Sequence, residues 1–478
     1  MIEAAMGEDV PHVGGRSTGV RLDPSILREN DIRGVVGKTL FAADARAIGR
    51  SFAQTLDAVG GRRVAVAYDG RLTSPELESA LVDGLAEGGI DVVRIGRGPT
   101  SMLYFAAATL AVDGGVMVTA SHNPADYNGF KFILRGKPFF AEEIERLALA
   151  ASTIAPAGGP RGRIENRAAI ADAYLARLKQ EAAAAPALSV AWDPGNGATG
   201  EILAKLIAGL PGRHYLINAA IDGSFPAHHP DPAVPGNLAQ LRALVAAKGC
   251  DLGFAFDGDG DRIGVVDSRG RIIWPDQLMA ILARDVLRCC PGAPIIADVK
   301  SSQVLFDEIA RLGGRPIMLP AGHSLIKSRL LEWNSPLAGE MSGHIFFADR
   351  YFGADDAVYA ALRLLGVLGQ RSTGLAELVE QLPVTFATPE IRVACSDLRK
   401  FAIVEIIRER LCHRGADVIA IDGVRVRDED GWWLVRASRT QPAVVLRVEA
   451  KSAEGLQRLK RQLVAALTAA GAPLRAAL

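Results

Sequence analysis

Hydrophobic and polar positions follow a repeating pattern along most of the chain. Three short runs of β-branched residues and alanine each end in an aspartate followed by small residues: VAVAYDGR around Asp69, LSVAWDPGNG around Asp193 and PIIADVKSS around Asp298. This pattern predicts buried strands that each enter a loop. Helical periodicity flanks them in three segments, at 43–59, 200–210 and 276–287. Alternating strands and helices predict α/β layers with parallel strands.

A second apolar run follows each of these strands and ends in unusual polar residues. The three ends read GGVMVTASHNP, CDLGFAFDGDGD and SPLAGEMSGH. The pattern recurs after about 100 to 125 residues, which is the length of a domain, so it indicates duplicated domains rather than a solenoid. Because ligands of open α/β sheets collect at the carboxyl ends of strands, we expect these polar loops to line one cleft.

The pattern changes after about residue 384. Strand-like segments then follow one another closely, and the turn DEDG joins two of them, which is typical of an antiparallel hairpin. The predicted fold class is therefore α/β, with three similar α/β domains that contain mixed, largely parallel sheets, followed by a smaller α+β domain. The expected units are a flexible tail at 1–20 and domains at 21–166, 167–270, 271–383 and 384–478.

Composition narrows the function classes. The 478 residues are 49% hydrophobic and 23% charged, which is typical of globular proteins with several cores. Lys plus Arg equals Asp plus Glu at 54 each, so no global field favours nucleic acid or an anionic membrane. We expect no secretory signal and no membrane span. We also expect no disulfide framework, because the number of cysteines, five, is odd and only Cys289 and Cys290 are close together. A cytoplasmic location is the expectation.

The segment TASHNPADYNGFK carries the first candidate chemistry. Ser121 follows the strand-like GVMV and precedes a proline, so we expect its hydroxyl on a stiff, exposed turn. A serine becomes a nucleophile only when a base or a metal activates it, and His122 and Lys131 are possible proton acceptors. The alternatives are an ordinary turn serine and a structural histidine.

The segment FAFDGDGDRIGVVD places Asp257, Asp259 and Asp261 at alternate positions. Carboxylates this close repel one another unless a cation lies among them. A calcium-binding EF-hand requires glycine and glutamate where this chain has Arg262 and Ser268. A few oxygen ligands favour Mg²⁺, and a solvated acidic turn is the alternative.

The segment GEMSGH clusters Glu340, Ser342 and His344, and a carboxylate beside a hydroxyl is suited to bind sugar hydroxyls. A helix N-terminus capped by Ser342 is the alternative. The segment AGHSLIK adds His323 and Lys327 on another loop, as a weaker signal.

The segment RASRTQP combines guanidinium groups, hydroxyls and a turn, which together can bind a phosphate. Its candidate residues are Arg436, Ser438, Arg439 and Thr440. A charged hairpin tip is the alternative. Near the start, NDIRGVVG places Arg33 in a glycine-flanked loop that is also suited to phosphate.

Taken in order, DIRG, TASHNP, DGDGDR, GEMSGH, RASRTQP and LRVEA resemble the α-D-phosphohexomutase family over nearly the whole chain, most closely its bacterial phosphomannomutase/phosphoglucomutase branch. The resemblance implies four domains around a central cleft, the last similar in fold to the TATA-binding protein. It implies interconversion of hexose 1-phosphate and hexose 6-phosphate, of mannose, glucose or both, through a phosphoserine and a hexose 1,6-bisphosphate. It also implies Mg²⁺, the bisphosphate as activator, sugar phosphates as partners, and a monomer or weak homo-oligomer.

The resemblance implies a role for each matching residue. Ser121 would be the phosphoserine, and Lys131 and His344 the acid/base pair. Arg33 and His122 would support the phosphoserine. The implied Mg²⁺ ligands are Ser121, Asp257, Asp259 and Asp261. The implied sugar and phosphate contacts are Arg262, His323, Glu340, Ser342, Arg436, Ser438, Arg439 and Thr440.

Two departures from the family pattern bear on specificity. Asn30 stands where the branch commonly has an aromatic residue, and Arg439 where it commonly has asparagine. Three functions remain as alternatives: a Mg²⁺-dependent phosphatase, a silent sugar-phosphate sensor and a phosphoglucosamine mutase.

Overall fold

The computed structural model describes residues 21–153, 158–438 and 442–472, and the expected tail at 1–20 lies outside them. The described chain folds into four sheets that follow one another along the sequence. Two short 3-10 helices, Pro24–Ile26 and Pro235–Leu238, lie in connections.

The first domain contains a seven-stranded sheet. Its elements are β1 (Ile32–Val35), α1 (Ala42–Ala58), β2 (Arg63–Tyr68), α2 (Ser74–Glu87), β3 (Asp91–Arg97), α3 (Thr100–Thr109), β4 (Gly114–Val118), β5 (Tyr127–Leu134), β6 (Lys137–Phe139), α4 (Glu142–Ala151) and β7 (Ile164–Asn166). The strand order is β1-β5-β4-β2-β3-β7, with β6 beside β5. The strand β2 is central and its apolar run is buried, as the continuous hydrophobic pattern predicts.

The second domain contains five strands. Its elements are α5 (Ile170–Ala182), β8 (Leu188–Asp193), α6 (Gly200–Ile207), β9 (Gly212–Leu216), α7 (Ala239–Lys248), β10 (Leu252–Phe256), β11 (Ile263–Asp267) and β12 (Ile272–Ile273). The strand order is β12-β11-β10-β8-β9.

The third domain contains another five strands. Its elements are α8 (Pro275–Cys289), β13 (Pro294–Asp298), α9 (Gln303–Arg311), β14 (Arg315–Leu319), α10 (His323–Glu332), β15 (Leu337–Gly339), β16 (Ile345–Phe347), β17 (Ala354–Asp355), α11 (Ala357–Gly369) and α12 (Leu375–Glu380). The strand order β14-β13-β15-β16-β17 repeats that of the second domain.

The duplicated pattern predicted from sequence is confirmed in the sheets. The three marker strands β2, β8 and β13 occupy the same place, and β4, β10 and β15 run parallel to them. Each of these strands then passes through its polar loop into an antiparallel partner, which is β5, β11 or β16. The sheets are mixed as predicted, but "largely parallel" was wrong, because parallel and antiparallel pairs are equally numerous in each of these domains. The polar loops return as hairpins, which the apolar pattern did not reveal.

The fourth domain is a purely antiparallel sheet with two helices. Its elements are β18 (Phe386–Ala387), β19 (Ile391–Ala394), α13 (Asp397–His413), β20 (Val418–Ile419), β21 (Val424–Asp428), β22 (Gly431–Ala437), β23 (Ala443–Ala450) and α14 (Ala453–Ala469). The order is β18-β23-β22-β21-β20, with β19 beside β23. Ile403, Ile407, Leu459 and Leu463 of the helices pack against Val435 in one core. The α+β prediction is confirmed, and the likeness to the TATA-binding protein stays a prediction.

Two buried arginines join the fourth domain to the third. Arg425 donates to the backbone carbonyls of Val299 and Ser301, at 2.7 and 2.8 Å. Arg447 donates to the carboxylate of Asp276 at 2.9 Å and to the carbonyl of Lys300. The fourth domain therefore lies at the carboxyl end of β13. Among the described helices, none is long and apolar enough to cross a membrane.

Candidate active site

The polar loops of the first three domains and the sheet edge of the fourth surround one cavity of about 420 Å³. The predicted residues that line it are Arg33, His122, Arg262, His323, Glu340, Ser342, His344, Arg436 and Ser438. The expected convergence of three loops on one cleft is thus observed. The predicted residues Arg439 and Thr440 lie outside the described residues.

Ser121 lies in the turn between β4 and β5 at the edge of this cleft. Its φ of +50° places it in the left-handed region, so the turn holds an uncommon backbone conformation. Its Oγ donates to the Asp257 carboxylate at 2.5 Å and lies 3.2 Å from His122 Nδ1. The expectation of an exposed turn was wrong: the residue is 1% exposed, because the loop of the second domain covers it.

The three aspartates lie in the tight hairpin between β10 and β11, and all are fully buried. The backbone N–H groups of Asp261 and Arg262 both donate to Asp257 Oδ1, which curls the loop around that carboxylate. One ligand atom from each aspartate lies within 4.8 Å of the others. This burial excludes the solvated acidic turn, and the flanking strands exclude the EF-hand.

The buried carboxylates fit a hard cation. Asp259 Oδ1 and Asp261 Oδ1 have no hydrogen-bond partner within the described part of the chain. Burial and the two neighbouring carboxylates raise the pKa of Asp257 well above its usual range. A cation bound by oxygen atoms would remove this repulsion. The chain therefore contains an acidic metal-binding triad.

Lys131, on β5, reaches the same carboxylates from the first domain. Its Nζ lies 2.7 Å from Asp259 Oδ2 and also donates to Asp261 Oδ2. Burial alone would lower the pKa of Lys131, but the two carboxylates outweigh burial and raise it above its usual range. Lys131 is therefore held as an ammonium group next to the triad.

His344 lies at the start of β16, and its ring is held on both sides. Arg262 Nε donates to His344 Nε2 at 3.1 Å. The other ring nitrogen, Nδ1, lies 3.0 Å from Asp355 Oδ2 and 3.6 Å from Asp261 Oδ1. The ring of His323 stacks on it with centroids 4.9 Å apart. These contacts leave Nε2 as the acceptor nitrogen.

Asp355 is a site residue that sequence reasoning missed. It is fully buried at the end of the two-residue strand β17, and Lys327 Nζ lies 2.6 Å from its second oxygen. Lys327 also lies over the ring of Tyr104, 3.6 Å from the centroid. In the sequence, GADDAV resembles an ordinary polar turn. Asp355 could have been found by asking which carboxylate pairs with the predicted residues His323 and Lys327.

Glu340 and Ser342 lie in the turn between β15 and β16, which excludes the helix-cap alternative for Ser342. Glu340 accepts a hydrogen bond from Gly322 N at 2.8 Å, and burial raises the pKa of its carboxyl group. Gly343 has φ +99°, and its carbonyl accepts from Ile263 N at 3.1 Å. The turn that holds Glu340 and Ser342 is therefore joined directly to the aspartate hairpin of the second domain.

The remaining predicted residues lie at opposite sides of the cavity. Arg33 donates to Asn123 Oδ1 at 2.5 Å and to the carbonyl of Ala120 at 3.3 Å, so it is fixed to the serine loop. Arg436 is 7% exposed and donates to Asp422 at 2.8 Å. Arg436 and Ser438 are buried in the cleft wall, which excludes for them the alternative of a charged hairpin tip.

Comparisons with known proteins match the whole described architecture. Four domain families match in order: phosphoglucomutase/phosphomannomutase α/β/α domain I at 24–155, domain II at 172–270, domain III at 274–386 and the C-terminal domain at 390–466. The chain is 44% identical over 441 residues to a phosphomannomutase/phosphoglucomutase of Pseudomonas aeruginosa, covering 92% of this chain and 94% of that protein. It is 40% identical over 445 residues to a phosphoglucomutase of Neisseria gonorrhoeae, covering 92% and 96%.

A crystal structure of a phosphoglucomutase/phosphomannomutase family protein from Burkholderia thailandensis is also similar. It has 42% sequence identity and a TM-score of 0.87, over 95% of this chain and 99% of that one. Sequence identity, domain order and fold agree over nearly the full length. The chain therefore belongs to the α-D-phosphohexomutase family, together with its phosphoglucomutase/phosphomannomutase members.

Proposed function

We propose that the protein interconverts hexose 1-phosphate and hexose 6-phosphate, of mannose, glucose or both, through a phosphorylated Ser121 and a hexose 1,6-bisphosphate. The observation that carries the proposal is the contact of 2.5 Å between Ser121 Oγ and the buried aspartate triad, beside a cavity lined by all four domains. The names of the relatives, phosphomannomutase/phosphoglucomutase and phosphoglucomutase, support the reaction class.

Magnesium fits the residues at this point. Ser121, Asp257, Asp259 and Asp261 would hold it. Asp259 Oδ1 and Asp261 Oδ1, which have no hydrogen-bond partner among the described residues, would be free to bind the cation. When bound, Mg²⁺ neutralises negative charge on the phosphoryl group during transfer. The bisphosphate serves as activator because it restores the phosphate on Ser121.

The chain's own residues move the protons. A substrate hydroxyl attacks the phosphorus, the new P–O bond forms, and the bond between phosphorus and Ser121 Oγ breaks. His344 Nε2 carries the lone pair of the ring, which accepts from Arg262 Nε in this structure, and it would take the hydroxyl proton once Arg262 turns to the substrate. Lys131 is held as an ammonium and is suited to give a proton to the departing serine oxygen. Arg33 and His122 support the phosphoserine.

The sugar then turns end for end, so that its other phosphate returns to Ser121. Glu340 and Ser342 would bind two ring hydroxyls in either orientation, with Arg262 and His323 along the sugar. The phosphate that does not react would be held by Arg436 and Ser438, with Arg439 and Thr440. A separate domain bearing this phosphate site can open and close during the turn, which places a hinge near residue 384.

The test is a coupled assay with mannose, glucose and glucosamine 1-phosphates that measures both hexose 6-phosphate and free phosphate. Isomer formation without a matching release of phosphate supports the mutase. Phosphate release alone would identify a phosphatase, and no turnover would favour a sensor. A preference for glucosamine 1-phosphate would identify a phosphoglucosamine mutase.

Several expectations join this proposal. The domain limits at 166, 270 and 383, a cytoplasmic location and a monomeric or weakly homo-oligomeric state stay predictions. So does the absence of nucleic-acid and membrane partners.

A further inference from the structure

Arg71, in the loop after β2, has no role in the mechanism above, yet its guanidinium makes four hydrogen bonds to the backbone around Ser121. Its side chain is 0% exposed. One terminal nitrogen donates to the carbonyls of Pro124 and Tyr127 at 2.6 and 3.0 Å. The other donates to the carbonyls of Ser121 and Asn123, both at 2.7 Å. The guanidinium therefore binds three carbonyls of the serine loop and the carbonyl of Tyr127, the first residue of β5.

These four carbonyls require a partner of this shape. The loop joins the antiparallel strands β4 and β5 and holds Ser121 at φ +50°, so its carbonyls cannot pair within a regular ladder. A buried carbonyl left without a donor costs about 1–3 kcal/mol. The two terminal nitrogens of arginine present four N–H groups in one plane, whereas lysine has three on a single atom.

The carboxylate of Asp69 holds Arg71 in place. Asp69 Oδ1 accepts from Arg71 N at 3.0 Å, and Asp69 Oδ2 lies 3.2 Å from Arg71 Nε. Asp69 Oδ2 also accepts from Thr119 Oγ1 at 2.7 Å, and the Thr119 oxygen accepts from Ser121 N at 2.8 Å. The N–H and the C=O of Ser121 are thus both tied to the Asp69–Arg71 pair.

The second domain closes over this pair. The ring of Phe225 lies 5.2 Å from the guanidinium carbon. A Cβ on Gly223 would lie 2.6 Å from Arg71 Cα, so the backbones are in direct contact. A Cβ on Gly258, in the aspartate hairpin, would lie 2.5 Å from the Ser121 carbonyl oxygen. The domain that supplies the carboxylates therefore also packs directly against the backbone of the serine loop.

We infer that Arg71 is a positioning residue for phosphoryl transfer, which sets the direction of Ser121 Oγ toward the aspartate triad. The inference rests on the proposed function. Arg71 touches neither the reacting atoms nor the cavity, so it acts through the backbone of the serine loop. A displacement of about 1 Å at a reacting group can reduce turnover about a hundredfold.

The test compares Arg71→Lys and Arg71→Met with Arg363→Lys. Arg363 is a matched control, because it is 2% exposed and binds a carboxylate, Asp349, away from the cleft. Each protein is phosphorylated with glucose 1,6-bisphosphate, and four quantities are measured: the Tm, the KM, the kcat per phosphorylated molecule, and the phosphate released per turnover.

We expect both Arg71 variants to keep KM within about threefold, while kcat per phosphorylated molecule falls about a hundredfold. Phosphate release per turnover should rise, because a misdirected phosphoserine is attacked by water instead of sugar. Arg71→Lys should retain more turnover than Arg71→Met. Arg363→Lys should lower the Tm and leave kcat and phosphate release per turnover as in the native protein.

Native kcat and phosphate release in folded Arg71 variants would overturn the inference, as would losses that the Arg363 control shares. If neither Arg71 variant folds, Asp69→Asn takes their place, since it removes the charge beside Arg71 Nε. We expect a smaller fall in kcat there, and native kcat and phosphate release in that variant also overturn the inference. If the native protein carries no phosphate on Ser121 after treatment with glucose 1,6-bisphosphate, the proposed function is wrong, and this inference is wrong with it.

Discussion

The serine and aspartate loops of the first two domains differ from the segments of the last two domains that carry Glu340 and Arg436. Three hydrogen bonds join the first two domains at the site. Ser121 Oγ donates to Asp257 at 2.5 Å, and Lys131 and Thr100 donate to Asp259 at 2.7 and 2.5 Å. Glu340 and Arg436 are anchored at one edge, to Gly322 N and to Asp422, and both line the cavity. In the proposed function the first region holds the reacting atoms, whereas the second presents polar side chains to the cavity.

This difference suits the proposed cycle, in which one site would serve a substrate that binds in two directions. The proposed cycle uses the same reacting centre in both half-reactions, and the hydrogen bonds across the domain boundary would pre-organise it for each of them. The binding groups must accept either end of the sugar, so they face a shared cavity. Mutations in the first region should therefore change kcat, and mutations in the second should change KM.

The largest expected effect is that of Ser121→Ala. We expect turnover to fall at least about a thousandfold, because the only proposed phosphate carrier is lost. The fold and the binding of glucose 1-phosphate should remain, since the change removes one hydroxyl and little core volume. Steady-state kinetics and calorimetry check this, and near-native mutase activity would refute the phosphoserine assignment.

The next effect is that of Asp259→Asn. We expect the Mg²⁺ concentration for half-maximal rate to rise at least about tenfold, with a lower kcat, because one charge that faces the cation is lost. A titration of activity with Mg²⁺ measures both quantities. Asp267→Asn is the control from the same hairpin, since Asp267 binds Arg271 instead. Equal behaviour of the two variants would contradict the metal site.

Asp355→Asn tests His344, a third-domain residue that the proposed mechanism groups with the reacting region because its Nδ1 lies 3.6 Å from Asp261 Oδ1. We expect kcat to fall at least about tenfold, and by no more than the roughly 10²–10⁴ that a general acid or base contributes in full, because the ring of His344 loses its carboxylate. KM should change little. A selective rise in KM would instead place Asp355 among the binding residues.

Arg436→Gln tests the binding region. We expect KM for glucose 1-phosphate to rise about 10- to 100-fold with kcat within a few-fold, because a charge-assisted phosphate contact is lost. Arg427→Gln is the control, since Arg427 pairs with Asp417 on the exposed side of the same domain. A loss confined to kcat would break the division between the two regions.

The smallest effect concerns sugar specificity. We expect mannose 1-phosphate and glucose 1-phosphate to be used with efficiencies within about tenfold, a gap of about 1.4 kcal/mol, since no predicted residue is dedicated to the 2-position. Asn30 is the residue that could change this: it lines the cavity, and its Oδ1 lies 3.7 Å from where a Cβ on Gly322 would stand. A thousandfold preference that disappears in Asn30→Tyr would identify Asn30 as the cause.

The sequence predicted the parts of the fold that rest on local patterns. The strands before Asp69, Asp193 and Asp298 and the antiparallel fourth domain were predicted because period and turn residues are local signals. The antiparallel return strands were missed, since a buried strand reads the same in either direction. Asp355 and Arg71 were missed because the partners that define their roles, His344 and the Ser121 carbonyl, are 11 and 50 residues away in sequence and meet them only through the sheet topology.

Covalent transfer at Ser121 tests the central claim most directly. The protein is incubated with hexose 1,6-bisphosphate carrying labelled phosphate, the labelled residue is located by peptide mass spectrometry, and the label is then chased with unlabelled glucose 1-phosphate. We predict one phosphate per molecule on Ser121, which moves into hexose bisphosphate and then hexose 6-phosphate at the rate of turnover. Label on another residue, or label released only as free phosphate, would contradict the account.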